Sequence, residues 1–342
     1  MTAPDEPAAQ AADHPQPATA IPEPAAQAAV QLVQIEQLWR LFGPVIAVRD
    51  LSFSIPRGAV VGFIGANGAG KTTTMRVLAT LDEPTSGTVR VAGYDVTERP
   101  AEVRQLVGWM PDHLGTYASM TVFEYLDFFA RAYGLDAARR RDRVEEVMSF
   151  ADLDILADRQ MAKLSKGMSQ RLCFGRMLIP DPEFMILDEP AAGLDPKARL
   201  EFKNLVRILA NRGKTLLISS HILSELGEMC DHIVFIDKGR MVFEGRADEL
   251  RNGATAEGTA TDVEVTVAGG TEALRDWIGT RQGWSIVAER PRGALVRCPA
   301  TDEAGLAAAL RQLVIAGIDV VEFRREQRRL EEAFVDLVKR LE

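Results

Sequence analysis

The stretch from residue 65 to 72 constrains the fold most strongly, and its sequence is Gly-Ala-Asn-Gly-Ala-Gly-Lys-Thr. It follows the apolar run Val60–Ile64, which is typical of a buried strand, and it precedes helical spacing at 73–78. Glycines let consecutive backbone N–H groups turn toward one anion, and a helix N-terminus adds partial positive charge. The alternative is a glycine-rich turn that happens to precede a lysine. The complete spacing between a strand and a helix favours a phosphate-binding loop.

A loop of this kind binds nucleotide phosphates. Lys71 would reach the β- and γ-phosphates, and the Thr72 hydroxyl would bind Mg²⁺. The residues predicted to contact the nucleotide here are Gly65, Ala66, Asn67, Gly68, Ala69, Gly70, Lys71, Thr72 and Thr73.

Composition limits the class of protein that carries this loop. The 342 residues are 46% hydrophobic and 26% charged, as in ordinary globular proteins. No stretch approaches the roughly 18 consecutive apolar residues of a membrane span, so a membrane role would come through a partner. The net charge of −9 disfavours general nucleic-acid binding, because neutralising phosphates requires a basic face. We therefore expect no nucleic-acid partner.

The three cysteines favour a reducing, cytosolic environment. Cys173, Cys230 and Cys298 are far apart and form no C-x-x-C pair, unlike a disulfide framework. Cys230 and His232 flank a single aspartate, but two ligands are too few for a metal site. Core packing is the favoured interpretation of both side chains.

Composition also divides the chain into three predicted regions. Residues 1–30 are rich in Ala, Pro and Gln without Lys or Arg, which predicts a disordered tail and not a secretion signal. Residues 31–250 form the main domain, in which strand-like alternation at 33–55 and 88–91 predicts an antiparallel flap beside the nucleotide. Residues 251–342 begin with a linker and continue as a C-terminal domain.

The C-terminal region shows a strand, a helix, a hairpin, a helix and a strand in that order, which predicts a small split βαβ domain. The spacing at 330–341 then predicts a closing amphipathic helix. Four arginines precede this helix: Arg324, Arg325, Arg328 and Arg329. A solvated face is favoured for them, and contact with an acidic partner or a lipid surface stays an alternative.

An aromatic stripe marks a predicted helix near residues 122–133. The side chains on one side of it are Val122, Tyr125, Leu126, Phe129 and Tyr133. Packing in the core of a subdomain is the favoured interpretation, and a groove for a partner's helix is the alternative.

Acidic residues stand where chemistry on a bound phosphate would need them. The apolar strand at 184–187 ends in Asp188 and Glu189, and carboxylates at a strand end beside a phosphate loop can bind Mg²⁺ and polarise an attacking water. His221 stands at the C-terminal end of the following strand, 215–220, where the other chemical groups gather, so a functional role is favoured over a structural one.

Two further turns lie where helices are predicted to begin. Ser165 and Gly167 open a helical pattern at 170–179, which predicts a second anion site. Asp195 precedes Pro196, a residue suited to the first position of a helix.

Taken together, these stretches resemble the nucleotide-binding subunit of an ATP-binding-cassette (ABC) transporter over about residues 33–250. Residues 65–72 are similar to Walker A, 185–189 to Walker B, 164–168 to the ABC signature and 193–195 to the D-loop. By this resemblance Glu189 is the catalytic glutamate, His221 the switch histidine, and Phe42 the aromatic residue that stacks on adenine. Asp195 becomes a nucleotide-binding residue.

The resemblance implies an α/β fold: a P-loop NTPase core of the ABC type with an antiparallel β subdomain, a helical subdomain and a small α+β C-terminal domain. It implies ATP and Mg²⁺ as ligands, with Thr72, Asp188 and Asp112 around the metal. Ser165 and Gly167 would reach the ATP of a second subunit, so a homodimer is expected. A separate transmembrane permease, with export favoured, would hold the protein at the inner face of the membrane.

Two motifs depart from the family's pattern. The signature is Leu-Ser-Lys-Gly-Met where the family usually has Leu-Ser-Gly-Gly-Gln, which keeps Ser165 and Gly167 but adds a charge at Lys166. Asp112 stands where the family usually places a glutamine that contacts Mg²⁺ and relays the nucleotide state. Its carboxylate could serve as the metal ligand instead.

Two rival functions differ in class. A cassette ATPase that acts on nucleic acid or ribosomes usually carries two cassettes or a long coiled-coil insertion, and this chain has one cassette without that insertion. A nucleotide-gated regulatory scaffold with little turnover is disfavoured by the presence of both Glu189 and His221. Measured ATP turnover would separate the scaffold from the transport subunit.

Overall fold

The computed structural model describes residues 31–115, 117, 119–222, 226, 227, 229–247, 260–300 and 302–326. The predicted tail at 1–30, most of the predicted linker and the predicted closing helix at 330–341 lie outside these ranges. The predicted domain boundaries at residues 30 and 250 also fall on residues outside them, so the boundaries stay predictions.

The first sheet has four antiparallel strands in the order β2-β1-β4-β5. Their bounds are β1 (Gln31–Phe42), β2 (Val45–Pro56), β4 (Ser86–Val91) and β5 (Tyr94–Asp95). Val33 pairs with Ile55 on one side and with Val91 on the other, and all three are buried. Strand alternation therefore places apolar side chains on one packed face, and the predicted antiparallel flap is confirmed.

The second sheet has six strands in the order β10-β9-β3-β8-β7-β6. Their bounds are β3 (Val60–Ile64), β6 (Val107–Met110), β7 (Phe184–Leu187), β8 (Thr215–Ser220), β9 (His232–Asp237) and β10 (Arg240–Arg246). The pairs formed by β3, β6, β7, β8 and β9 are parallel, and β10 is antiparallel to β9. The carboxyl ends of the parallel strands meet at one edge, where ligands bind in open α/β sheets.

This sheet is covered on both faces, which explains its continuous apolar strands. Along β7, Met185 and Leu187 enter one hydrophobic core, while Phe184 and Ile186 enter another. All four side chains are fully buried. Parallel strands buried on both faces lose the alternation of polar and apolar residues.

Six helices accompany these two sheets in the described ranges: α1 (Lys71–Leu78), α2 (Pro100–Leu106), α3 (Val122–Ala132), α4 (Ala137–Phe150), α5 (Lys166–Leu178) and α6 (Pro196–Asn211). Short 3₁₀ turns lie at Asp154–Leu156 and Met161–Lys163. α3, α4 and α5 pack around a shared core, to which they contribute Tyr125, Val147 and Phe174. The predicted helical subdomain is therefore confirmed.

The aromatic stripe of α3 serves mainly this core. Val122, Tyr125 and Leu126 are at most 1% exposed, and Phe129 packs against the same cluster. Tyr133, at the C-terminal end of the helix, is instead 47% exposed. The core interpretation thus accounts for four of the five predicted side chains.

The third sheet is antiparallel, with the order β12-β13-β11-β14. In chain order its elements are β11 (Thr261–Val267), α7 (Glu272–Gly279), β12 (Ser285–Arg290), β13 (Gly293–Cys298), α8 (Glu303–Ile315) and β14 (Val320–Arg325). Alternate residues of β11 enter a core shared with α7 and α8. This βαββαβ order is the ferredoxin-like arrangement, as the predicted split βαβ domain requires.

All three cysteines are core side chains. Cys173, Cys230 and Cys298 are buried and free. Burial raises the pKa of the Cys173 thiol to about 11 and also raises the pKa values of Cys230 and Cys298. The Sγ atom of Cys230 packs beside Gly62 on β3, as the core interpretation predicts.

No helix in the described ranges combines the length and the apolar character needed to cross a bilayer.

Candidate active site

The phosphate loop connects β3 to α1 at the carboxyl edge of the second sheet. A Cβ atom on Gly65 would lie 2.5 Å from the Ile236 carbonyl oxygen, so the close backbone approach requires glycine there. Gly70 has φ +103, and a Cβ atom on it would lie 2.6 Å from the Ala47 carbonyl oxygen. Gly70 also precedes α1 without a capping side chain. The loop is thus a narrow backbone cradle at a helix N-terminus, the geometry that binds phosphate.

Lys71 folds back over this loop. Its side chain is only 6% exposed, and Nζ donates a hydrogen bond to the Gly65 carbonyl oxygen at 2.7 Å. Nζ also lies 3.3 Å from Oε1 of Glu189. A buried ammonium needs anionic or carbonyl partners, and phosphate oxygens supply the same kind of partner.

Asp188 follows β7 and is the most buried acid of the site, at 2% exposed. Its Oδ2 accepts a hydrogen bond from the Thr72 hydroxyl at 2.7 Å, and its Oδ1 accepts one from the Ser219 hydroxyl at 2.7 Å. A carboxylate beside a hydroxyl is an oxygen donor set that suits Mg²⁺, which often completes its shell with phosphate oxygens and water. Two of the three predicted metal-binding residues, Thr72 and Asp188, therefore lie in direct contact.

Asp112 lies just beyond the C-terminal end of β6. Its carboxylate is 40% exposed, and its ion-pair partner is the adjacent His113, with Oδ2 and Nε2 3.4 Å apart. A backbone hydrogen bond of 2.9 Å from Asp188 N–H to the Met110 carbonyl joins the two strand ends nearby. A role of Asp112 toward Mg²⁺ stays a prediction.

Glu189 and His221 form a second pair beside the loop. Oε2 of Glu189 lies 2.8 Å from Nδ1 of His221, and the Glu189 side chain is 15% exposed. Because an ionised carboxylate only accepts hydrogen bonds, Nδ1 donates in this contact. Oε1 of Glu189 is buried without a hydrogen bond, although Lys71 is near. A carboxylate that a histidine holds through one oxygen, and whose other oxygen accepts no hydrogen bond, can accept a proton from a water molecule.

The signature turn begins α5. Ser165 caps this helix, and its Oγ accepts a hydrogen bond from Met168 N–H at 3.4 Å. The turn packs against the loop at 191–195: a Cβ atom on Gly167 would lie 3.6 Å from the Leu194 side chain, and one on Gly193 would lie 2.5 Å from Nζ of Lys166. Ser165 and Lys166 are exposed. The signature turn thus packs against the D-loop of its own chain.

Asp195 has a structural role in this arrangement. Its Oδ1 accepts a hydrogen bond from Ala198 N–H at 2.9 Å and caps α6 at its N-terminus. Its predicted contact with a nucleotide stays a prediction.

Phe42 ends β1 and is 46% exposed. The Arg40 guanidinium lies 4.3 Å from the centre of its ring. The following strand β2 reaches the phosphate loop, where the Ala47 carbonyl approaches Gly70. An exposed aromatic ring on this hairpin is consistent with the predicted stacking on adenine.

Sequence reasoning missed Ser219. Its hydroxyl accepts a hydrogen bond from Glu189 N–H at 2.7 Å and donates one to Asp188. The available signal was the polar end of an apolar strand, since Thr215–Ser220 finishes with two adjacent serines.

Comparison with known proteins agrees with this geometry. The family model described as ABC transporter matches residues 48–192. The Nod factor export ATP-binding protein I of Cupriavidus metallidurans is 38% identical over 219 residues, which cover 64% of this chain and 72% of that protein. The daunorubicin resistance ATP-binding protein DrrA3 of Streptomyces coeruleorubidus is 33% identical over 306 residues, which cover 89% of this chain and 95% of that protein.

A solved ATP-binding subunit of an ABC transporter has the same fold. It superposes with a TM-score of 0.59 at 30% identity and covers 64% of this chain and 92% of its own. Sequence, fold and site geometry agree, and the chain therefore belongs to the ATP-binding, ATP-hydrolysing proteins of ABC transporters.

Proposed function

We propose that this protein binds MgATP between two copies of itself and hydrolyses it to drive a separate membrane permease in export. The observation that carries the proposal is the position of Glu189. Its carboxylate lies between the Lys71 ammonium at 3.3 Å and the His221 ring at 2.8 Å, beside the contact between Thr72 and Asp188.

Each residue has a role that follows from its chemistry. Lys71 and the backbone amides of residues 65–72 hold the phosphates by charge and hydrogen bonding. Thr72 and Asp188 would hold Mg²⁺, which would supply positive charge against the phosphate oxygens. Glu189 orients the attacking water and takes up its proton, and His221 holds the Glu189 carboxylate in place. Phe42 stacks on the adenine base.

The second copy supplies the signature turn. Ser165 and Gly167 are placed at an exposed helix N-terminus that can bind the phosphates of ATP held by a facing copy. A symmetric dimer would then contain two such composite sites.

The permease is a separate chain, and the protein works at the inner face of the cell membrane through it. Exposed aromatic side chains beside the helical core, such as Phe128 at 49% and Tyr117 at 51%, support a docking surface for a permease helix. Export is the direction we propose, because one similar protein is named for Nod factor export and another for daunorubicin resistance.

Two substitutions test the assignment of roles. Lys71→Ala should abolish tight ATP binding, since Lys71 holds ground-state charge, whereas Glu189→Gln should spare binding and remove turnover. The matched control is Glu289→Gln, because Glu289 is an exposed acid of β12 that pairs with Arg275. Equilibrium binding of ATP and steady-state phosphate release are measured for all three variants. Equal loss of binding in Lys71→Ala and Glu189→Gln would contradict the roles.

The partner is tested separately. A membrane permease should co-purify with the protein from gently solubilised cells. Association with ribosomes or nucleic acid and with no membrane protein would contradict the transport function.

A further inference from the structure

Strand β8 lies between β3 and β7 in the second sheet, so its carboxyl end adjoins both the phosphate loop and the acids that follow β7. Ser219 is the penultimate residue of β8, and His221 directly follows the strand. His221 contacts the Glu189 carboxylate. The His221 side chain is 46% exposed, whereas Ser219 is fully buried.

The Ser219 hydroxyl joins both acids of the site. It donates its only proton to Oδ1 of Asp188 at 2.7 Å and accepts the backbone N–H of Glu189 at 2.7 Å. The bond to Asp188 involves an ionisable carboxylate in a buried environment, where hydrogen bonds are strongest. One hydroxyl thereby fixes the orientation of Asp188 and the backbone position of Glu189.

The backbone of Glu189 requires such support. Its φ is +47, in the left-handed region that side chains other than glycine rarely adopt. A conformation of this kind persists only where surrounding contacts hold it. The Ser219 oxygen bonds the N–H of this same residue, so it stabilises the turn that aims the Glu189 carboxylate toward Lys71 and His221.

We propose that Ser219 is a positioning residue for ATP hydrolysis. Its hydroxyl keeps the Asp188 carboxylate against Thr72 and holds the Glu189 backbone in the conformation needed for catalysis. This inference rests on the proposed function, since it assigns Ser219 to the same reaction. Ser219 acts through the two acids and has no assigned contact with the nucleotide.

The same strand offers a matched control. Thr215 begins β8, is also fully buried, and its Oγ1 accepts a hydrogen bond from Gly58 N–H at 2.8 Å. Thr215→Val therefore removes a buried hydroxyl at the opposite end of the strand. Ser219→Ala removes the hydroxyl beside the acids, and Ser219→Thr retains it.

The experiment measures kcat, the dissociation constant for ATP without Mg²⁺, and the thermal unfolding midpoint for these three variants and the unsubstituted protein. Loss of a buried hydrogen bond to a charged group predicts a kcat about 10- to 100-fold lower in Ser219→Ala. The ATP dissociation constant should stay within about threefold, because the phosphate cradle and Lys71 are unchanged. Ser219→Thr should recover most of the kcat, and Thr215→Val should lower the unfolding midpoint but not kcat.

A readout independent of turnover is hydrogen–deuterium exchange of the backbone amides at 186–192. Exchange at Glu189 should be faster in Ser219→Ala than in Thr215→Val, because only the first substitution removes the acceptor of its N–H.

The inference is overturned if Ser219→Ala matches the unsubstituted protein in kcat and in exchange at Glu189. It is equally overturned if Ser219→Thr is as slow as Ser219→Ala, or if Thr215→Val is as slow as both. Absence of ATP turnover in the unsubstituted protein would instead contradict the proposed function.

Discussion

The N-termini of helices α1 and α5 have similar sequences, but one is buried and the other is exposed. α1 follows the phosphate loop, α5 follows the signature turn, and each carries a lysine at its first position, Lys71 and Lys166. Neither helix has an acidic residue in its first turn. Both ends therefore favour an anion.

The difference lies in what faces each lysine. Lys71 is buried and lies against Glu189 and the Gly65 carbonyl of its own chain. Lys166 is exposed and lies along the D-loop near Gly193, and no ion pair of Lys166 occurs within the described residues. The phosphate loop is thus complete within one chain, whereas the signature turn presents positive charge outward. This contrast favours a ligand brought to α5 by a second molecule.

Ser165→Ala should have the largest effect on kcat among substitutions at the start of α5. We expect kcat to fall at least about tenfold, because the turn loses a hydroxyl that would face the partner's phosphates. ATP binding to the phosphate loop of the isolated chain should change by less than about threefold. The measurements are steady-state phosphate release and equilibrium ATP binding.

The control for Ser165→Ala is Thr121→Ala. Thr121 caps α3 and accepts a hydrogen bond from Glu124 N–H at 3.2 Å. Losing either cap should cost about 1 kcal/mol of stability. If kcat falls equally in both variants, the loss results from helix capping, and a phosphate contact at Ser165 is contradicted.

Lys166→Gln should have a smaller effect, and it should change stability and kcat in opposite directions. A lysine at the N-terminus of a helix opposes the helix dipole by about 0.3–1 kcal/mol, so the substitution should raise the thermal midpoint slightly. It should also lower kcat about three- to tenfold, because a charge near the partner's phosphates is lost. Lys163→Gln, which removes an exposed lysine three residues earlier, is the control. Unchanged kcat with raised stability would show that Lys166 has no part in turnover.

Asp112→Gln should have the smallest effect on rate. We expect ATPase activity within about tenfold, roughly 1.4 kcal/mol of barrier, together with a lower Mg²⁺ requirement. The reason is that a carboxylate near the phosphates is tolerated best when the metal is bound, and an amide has no net charge. Titration of Mg²⁺ against turnover in both proteins measures this. Superimposable curves would assign Asp112 to its contact with His113 and not to the metal.

Many residues of the candidate active site could be predicted because they directly follow apolar strands. Parallel strands buried on both faces have continuous apolar runs, so the ends of β3, β7 and β8 are visible in sequence. Since those ends share one sheet edge, Lys71, Asp188 and His221 could be grouped before their distances were known.

Other features depend on tertiary contacts that no local pattern reveals. α4 buries only Val144, Val147 and Met148 among many charged residues, so its helical pattern is weak and it was not predicted. Ser219 resembles any polar strand end until its two hydrogen bonds are seen. Likewise, no sequence pattern indicates that Lys166 contacts the D-loop, because the two segments are far apart along the chain.

The most direct test of the account is the oligomeric state of Glu189→Gln with MgATP. Because this variant should bind ATP without hydrolysing it, two copies should stay joined by nucleotide held between a phosphate loop and the partner's signature turn. Sedimentation should give the mass of two chains with MgATP and of one chain with MgADP. The double variant Lys71→Ala, Glu189→Gln should remain at one chain with either nucleotide. A single-chain mass for Glu189→Gln at saturating MgATP would contradict the composite site.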